Sequence, residues 1–210
     1  MTTQISLNPM ATTNAANLFN VNSAGFTQGD AQDDPAVKFA LAGGVLSALA
    51  ATPIWGGIPI CELIPAAAAQ PGTDTMGSTV IQANGGATPT LPANGICVFN
   101  QAFGGITTPQ SNAPLYSPGM SVNFYRFGSG ARIPLVCDST IVALDGSPVV
   151  ETVYWNFSTN QLTATQPTGQ AAFPVKILKV STSGNKSVSY NGTTGNANWI
   201  TTDTVALCQI

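Results

Sequence analysis

Four cysteines, nine acidic residues and six bases make up most of the chain's ionisable inventory, and histidine is absent. Without imidazole the commonest general base, the Ser-His and Cys-His nucleophile pairs and every histidine metal site are excluded. Cys61, Cys97, Cys137 and Cys208 lie far apart with no Cys-x-x-Cys spacing, so they do not read as a zinc set. Each sits in an apolar run (Ile60-Cys61, Ile96-Cys97-Val98, Val136-Cys137, Leu207-Cys208), the setting of unreactive buried thiols. The even count also permits disulfides in an oxidising compartment, with their connectivity open. Asp138, Asp145 and Glu151 come nearest to a glycosidase pair. Asp145-Gly146 reads as a turn, Asp138 as a strand end and Glu151 as a strand residue, which does not set two carboxylates across a cleft. Phe127-Gly-Ser-Gly130 lacks the lysine and following helix of a phosphate loop. Sequons at Asn156, Asn185 and Asn191 are what chance supplies in a chain this rich in Asn, Ser and Thr. The expectation is no enzyme, no cofactor and no metal.

Charged residues form 7% of the 210 residues, against about 25% in an average soluble domain, so polarity must come from Ser, Thr, Asn and Gln. Six bases against nine acids cannot lay down a cationic track for phosphates, and nucleic acid is not an expected partner. A surface with so little self-repulsion suits packing against copies of itself or a neighbour. The opening residues carry no positive n-region and the first base is Lys38, which reads as a cytoplasmic product. Phe39 to Trp55 is uncharged but is broken by Gly43-Gly44 and Pro53, so a buried hairpin is expected there and no membrane partner.

The candidate contact residues follow from this scarcity of charge. Arg126 and Arg132 are the only arginines; each is an ordinary solvated side chain or a bidentate partner for a carboxylate across an interface. Residues 1–37 contain Asp30, Asp33 and Asp34, no base and no periodic apolar face, and read as an extended N-terminal arm. Phe19 and Phe26 are costly to leave in water, so the arm either orders against a partner or is a frayed terminus. Phe19, Phe26, Asp33, Asp34, Arg126 and Arg132 are therefore the expected interface residues.

The elements that must carry these residues are strands. Residues 38–210 read as one β-rich domain of short apolar runs: Lys38–Ala42, Val45–Leu49 and Ile58–Ile64, with Gly43-Gly44 closing a hairpin and Trp55-Gly56-Gly57 a tight turn beside a large ring. Residues 65–120 contain long stretches rich in Gly, Thr, Asn and Pro and read as a surface loop excursion. In 149–157 alternation puts Val149, Val153, Trp155 and Phe157 on one face, with a turn at 158–160 leading into Gln161–Ala164. Phe173–Val180, a hairpin across Asn191–Gly195 and a closing strand Thr204–Ile210 complete the pattern. The expected fold is all-β, a barrel or jelly-roll-like sandwich with long loop insertions.

Three stretches, Arg132-Ile-Pro-Leu-Val-Cys-Asp-Ser-Thr-Ile-Val-Ala-Leu-Asp-Gly-Ser-Pro-Val149, Val153-Tyr-Trp-Asn-Phe-Ser-Thr-Asn-Gln-Leu162 and Phe173-Pro-Val-Lys-Ile-Leu-Lys-Val180, together with Gly43-Gly-Val-Leu46 and Pro53–Gly57, resemble the decoration or cement proteins of tailed bacteriophage capsids. The likeness is one of pattern, spans roughly 38–64 and 126–210, and leaves out the 70–120 insertion. It implies a β protein on the exterior of the virion that binds the major capsid protein, self-associates as a homotrimer or next a homodimer, and bridges neighbouring shell subunits. The competing expectation is a tail or baseplate adhesin binding a host surface glycan. That function wants exposed aromatics beside carboxylates, and residues 70–120 bring Phe99, Phe103 and Tyr116 but only Asp74.

Overall fold

The computed structural model describes residues 25–31, 35–63, 78–85, 90–99, 112–147 and 151–210. Among the described residues there are twelve strands and very little helix, and the protein is almost all β. Five strands, β1 (Leu41–Leu46), β2 (Pro59–Leu63), β3 (Ser78–Gln82), β4 (Gly95–Val98) and β5 (Ser121–Arg126), close into a barrel in the order β1-β3-β2-β4-β5. Among the described barrel pairs β1 and β3 alone run parallel, Val45 opposite Thr79, because β2 intervenes in the chain and provides the return path. A second sheet orders β7 (Tyr154–Asn156), β8 (Gln161–Thr163), β6 (Arg132–Cys137), β12 (Thr204–Gln209) and β9 (Lys176–Ser181) side by side. A hairpin of β10 (Ser187–Asn191) and β11 (Asn196–Ile200) forms a third, two-stranded sheet whose Val188 and Ala197 pack into the same core as the barrel residues.

Two apolar cores result, and β4 separates them. Its four residues are all buried. Cys97 packs into the barrel with Leu46, Ile60, Val80, Val122 and Phe124, while Ile96 and Val98 pack outward against Ile133, Leu135, Trp155 and Leu162 of the five-stranded sheet. A strand covered on both faces loses its polar alternation, which is why Ile96-Cys97-Val98 is continuously apolar.

Several expectations for the first half change. Gly43-Gly44 does not turn the chain: both lie inside β1, opposite Asn123 and Val122, and neither has the positive φ that a two-residue hairpin demands. Glycine in a strand instead fits the sharp curvature of a small barrel. Pro35–Lys38 is a single helical turn (α1) rather than the start of a strand. Phe39 is 95% exposed and Leu49 83%, so 39–55 is not a buried hairpin. The 65–120 excursion contains β3 and β4, two barrel staves. The expected turn at 55–57 forms, with Gly57 at φ +87, but the ring that needs glycine is that of Phe99: a Cβ on Gly56 would stand 2.5 Å from it.

The later elements follow their alternation. Val153 and Trp155 are buried at 1% each, Thr152 is exposed, and β7 turns into β8 through Asn160 in the left-handed region at φ 54. The β10–β11 hairpin and β12 lie where expected. Sequence reading missed the 3-10 helix Ser139–Leu144, whose N-terminus is capped by Asp138 accepting from Thr140 N at 2.9 Å.

Candidate functional site

Of the six candidate contact residues, Phe19, Asp33 and Asp34 lie outside the described residues. Phe26 does not wait for a partner. Its N–H donates to Asn185 Oδ1 at 2.9 Å and its carbonyl accepts from Lys186 N at 2.8 Å. The arm therefore ends earlier than residue 37, because 25–31 is threaded into the domain. Thr27 bridges Lys186 and Asp30 bridges Phe99, both in parallel. Gln28 is 1% exposed, and its Oε1 accepts the Val188 N–H at 2.9 Å. Gly29 N donates to Pro134 O at 2.9 Å, so the segment pairs with the edge of β6 at a residue that has no N–H to offer. The slot is backbone-tight. A Cβ on Gly29 would approach Gly56 to 2.2 Å, and one on Gly25 would approach Gly184 to 2.2 Å.

Arg126 also finds its carboxylate within the chain. Its Nε donates to Glu62 Oε2 at 2.8 Å and its Nη2 to Glu62 Oε1 at 2.6 Å, a bidentate pair. Strand alternation places Arg126 after Phe124 and Glu62 after Ile60, on the inward side, so the pair lies across one mouth of the barrel. The guanidinium is 5.5 Å from the Phe124 ring centroid. The hydrogen bond to Glu62 raises the Arg126 pKa, with burial opposing it. Arg126 thus has a carboxylate partner within its own chain, while its side chain remains 54% exposed. Arg132 is exposed on β6 opposite Gln209 and has no ion pair among the described residues. The two arginines are not brought together by a shared partner.

The remaining groups have structural roles. Asp145 accepts the Val180 N–H at 2.8 Å and the Lys179 ammonium at 3.1 Å, and those contacts, the backbone one first, hold its carboxyl below the usual carboxylate range. Asp138 is a helix cap and Glu151 is exposed, so the three carboxylates do not face one another across a cleft. All four cysteines are free and buried. Burial pushes the thiol of Cys137 up to about 12, with Asp138 and Asp203 adding to the shift, and pushes Cys61, Cys97 and Cys208 upward as well. Among the described residues no group of three or more Cys, Asp or Glu could hold a metal ion, and no helix is long and apolar enough to cross a membrane. The sequon at Asn185 is closed to modification, since Asn185 is fully buried and its Nδ2 donates to Ser181 O and Asp203 O.

What the surface does offer is apolar or neutral. Phe39 stands out of the turn between α1 and β1, and Leu49 out of the turn after β1. A groove of about 390 Å³ beside Leu49 is lined by Ile81, Ala83 and Phe157, and a second, more polar cleft of about 320 Å³ lies between the β10–β11 hairpin and the β7–β8 turn. Of the aromatics offered above as glycan-facing, Phe99 and Tyr116 are buried at 7% and 0%, and Phe103, like Asp74, lies outside the described residues. Comparison with protein-family models, with curated proteins and with solved structures finds no match to this chain.

Proposed function

We propose that the protein is a capsid decoration protein, binding the outer surface of a phage head and bridging neighbouring major capsid subunits as a homotrimer. One observation carries this reading. In a chain with so few charges, Glu62 and Asp145 pair with cations of the same chain, while large apolar side chains, Phe39 above all, are presented to the outside. Exposed aromatics on an otherwise neutral surface act as anchors for a protein partner. Many copies, each burying a modest area, would convert weak contacts into a shell that withstands internal pressure.

The test is co-sedimentation of the purified full-length protein with assembled capsids, with light scattering of the free protein in parallel. A stable trimer that pellets with shells and not with DNA is expected, and Phe39→Ser should weaken pelleting without lowering the melting temperature. A monomer that stays in the supernatant overturns the proposal. An arm truncation must stop at residue 24. Removing 1–37 would also take away Gln28 and Gly29 and leave the Val188 N–H and the Pro134 carbonyl without the partners they have here.

A further inference from the structure

We propose that the cleft between the β10–β11 hairpin and the β7–β8 turn binds a neutral, hydroxyl-rich ligand, a saccharide unit. At about 320 Å³ it lies at the small end of ligand sites, which run about 300–1,000 Å³. Its walls come from separate parts of the chain: Trp55 from the glycine turn, Thr159, Asn160 and Gln161 from the β7–β8 turn, Tyr190 from β10, and Asp203 from the approach to β12.

Three features select the ligand chemistry. The first is a half-buried aromatic surface: the Tyr190 ring tilts at 38° against Trp55 with centroids 5.6 Å apart. Such a platform takes the apolar C–H face of a pyranose. The second is a set of polar groups with unused hydrogen-bonding capacity among the described residues. Asp203 Oδ2 is fixed by the Ser187 hydroxyl at 2.7 Å, leaving its other oxygen to accept. Among the described residues, the hydroxyls of Thr159 and Tyr190 and the amide of Gln161 make no hydrogen bond within the protein. Trp55 is 8% exposed and adds ring surface to the cleft wall beside these groups.

The third feature is charge. No lysine or arginine lines the cleft while a carboxylate does, so phosphates, sulfates and acidic sugars meet Asp203 without a counter-charge. A neutral polyol meets donors, acceptors and a ring. The site is also held in shape before any ligand arrives. Asn160 sits at φ 54 with its Oδ1 accepting from Gln82 Nε2 at 3.0 Å, and Gln28 closes the back of the cleft through its bond to Val188 N. Preorganisation of this kind lowers the entropic cost of binding.

The experiment is a heteronuclear NMR titration of the full-length protein with a panel of neutral sugars: glucose, galactose, mannose, rhamnose, N-acetylglucosamine and their common disaccharides. Inorganic phosphate serves as the anionic control. The expected result is saturable shifts of the Thr159, Gln161, Tyr190 and Asp203 amides with at least one sugar at millimolar concentration and none with phosphate. Thr159→Trp, at an exposed turn position, should fill the cleft and abolish the shifts with the melting temperature unchanged, and Asp203→Asn should weaken binding about tenfold. If no sugar in the panel moves those amides, if phosphate moves them as strongly, or if Thr159→Trp leaves the shifts intact, the assignment is wrong. Attachment to shells is read separately, so the two proposals stand or fall independently.

Discussion

The barrel and the five-stranded sheet solve the same problem, covering apolar strand faces, in opposite ways. The barrel closes on itself, leaving no unpaired edge, and fills its interior with Phe124, Ile60, Val80 and Leu46. Its mouth is clasped by Glu62 and Arg126. The sheet stays open, so its edges need protection. On β9, Lys176 and Lys179 are exposed and Asp145 occupies the Val180 N–H that a foreign strand would seek. Its inner face packs on the outside of the barrel, so β4 and β5 serve both cores. The lesson concerns cooperativity: neither core can dissolve without exposing strands that belong to the other.

The largest expected effect tests that directly. Trp155→Ala in the sheet core and Phe124→Ala in the barrel core should each cost about 3–5 kcal/mol. Urea unfolding followed by fluorescence and by near-ultraviolet circular dichroism should remain a single coincident transition in both variants. Two separated transitions would show that the cores are independent units and undo the comparison.

Next in size is the segment that staples the two regions. Gly29→Ala places a Cβ against the Gly56 backbone at a position with φ +71, and should cost about 3 kcal/mol through overpacking and backbone strain. Gly119→Ala, also at positive φ but with nothing within 4 Å of the added atom, isolates the backbone contribution and should cost only about 1 kcal/mol. Equal losses in the two variants would mean that the slot is not tight.

A smaller effect distinguishes the edges. Asp145 has a folded pKa below its unfolded one, so its contribution is fully present above the unfolded carboxylate value of about 4 and is lost as pH falls through the lower folded value. The stability gap between the wild type and Asp145→Asn should therefore be constant at neutral pH and shrink in acid. A gap that does not change down to the acid limit would remove Asp145 from the defence of β9. Smallest of all, Glu62→Gln should lower stability by about 1 kcal/mol or less, since the Arg126 side chain is 54% exposed, and the loss should fade in high salt.

Legibility in the sequence divides along the same line as the two cores. Around Trp155 the strand alternates between a buried and a half-buried face, and β6 and β12, buried on both faces, stand out as short apolar runs, so a local window detects them. In the barrel, β3 shows only Val80-Ile81 as an apolar piece and β1 carries two glycines, so the periodic signal falls below what a local window can detect. The same limit applies to the cleft. Trp55, Thr159, Tyr190 and Asp203 lie in four unrelated stretches, and no spacing rule joins them.

Residue types and their local order were enough to determine that this is a β protein with little charge, no imidazole chemistry and thiols placed in apolar runs, because those properties depend on composition and nearest neighbours. Only the tertiary structure decided that Arg126 pairs with Glu62, that residues 25–31 belong inside the domain, and that Phe39 and Leu49 face outward. Those outcomes depend on which strands become neighbours, and in a closed barrel that is set by long-range pairing whose closure entropy and register leave no mark on a local stretch of sequence.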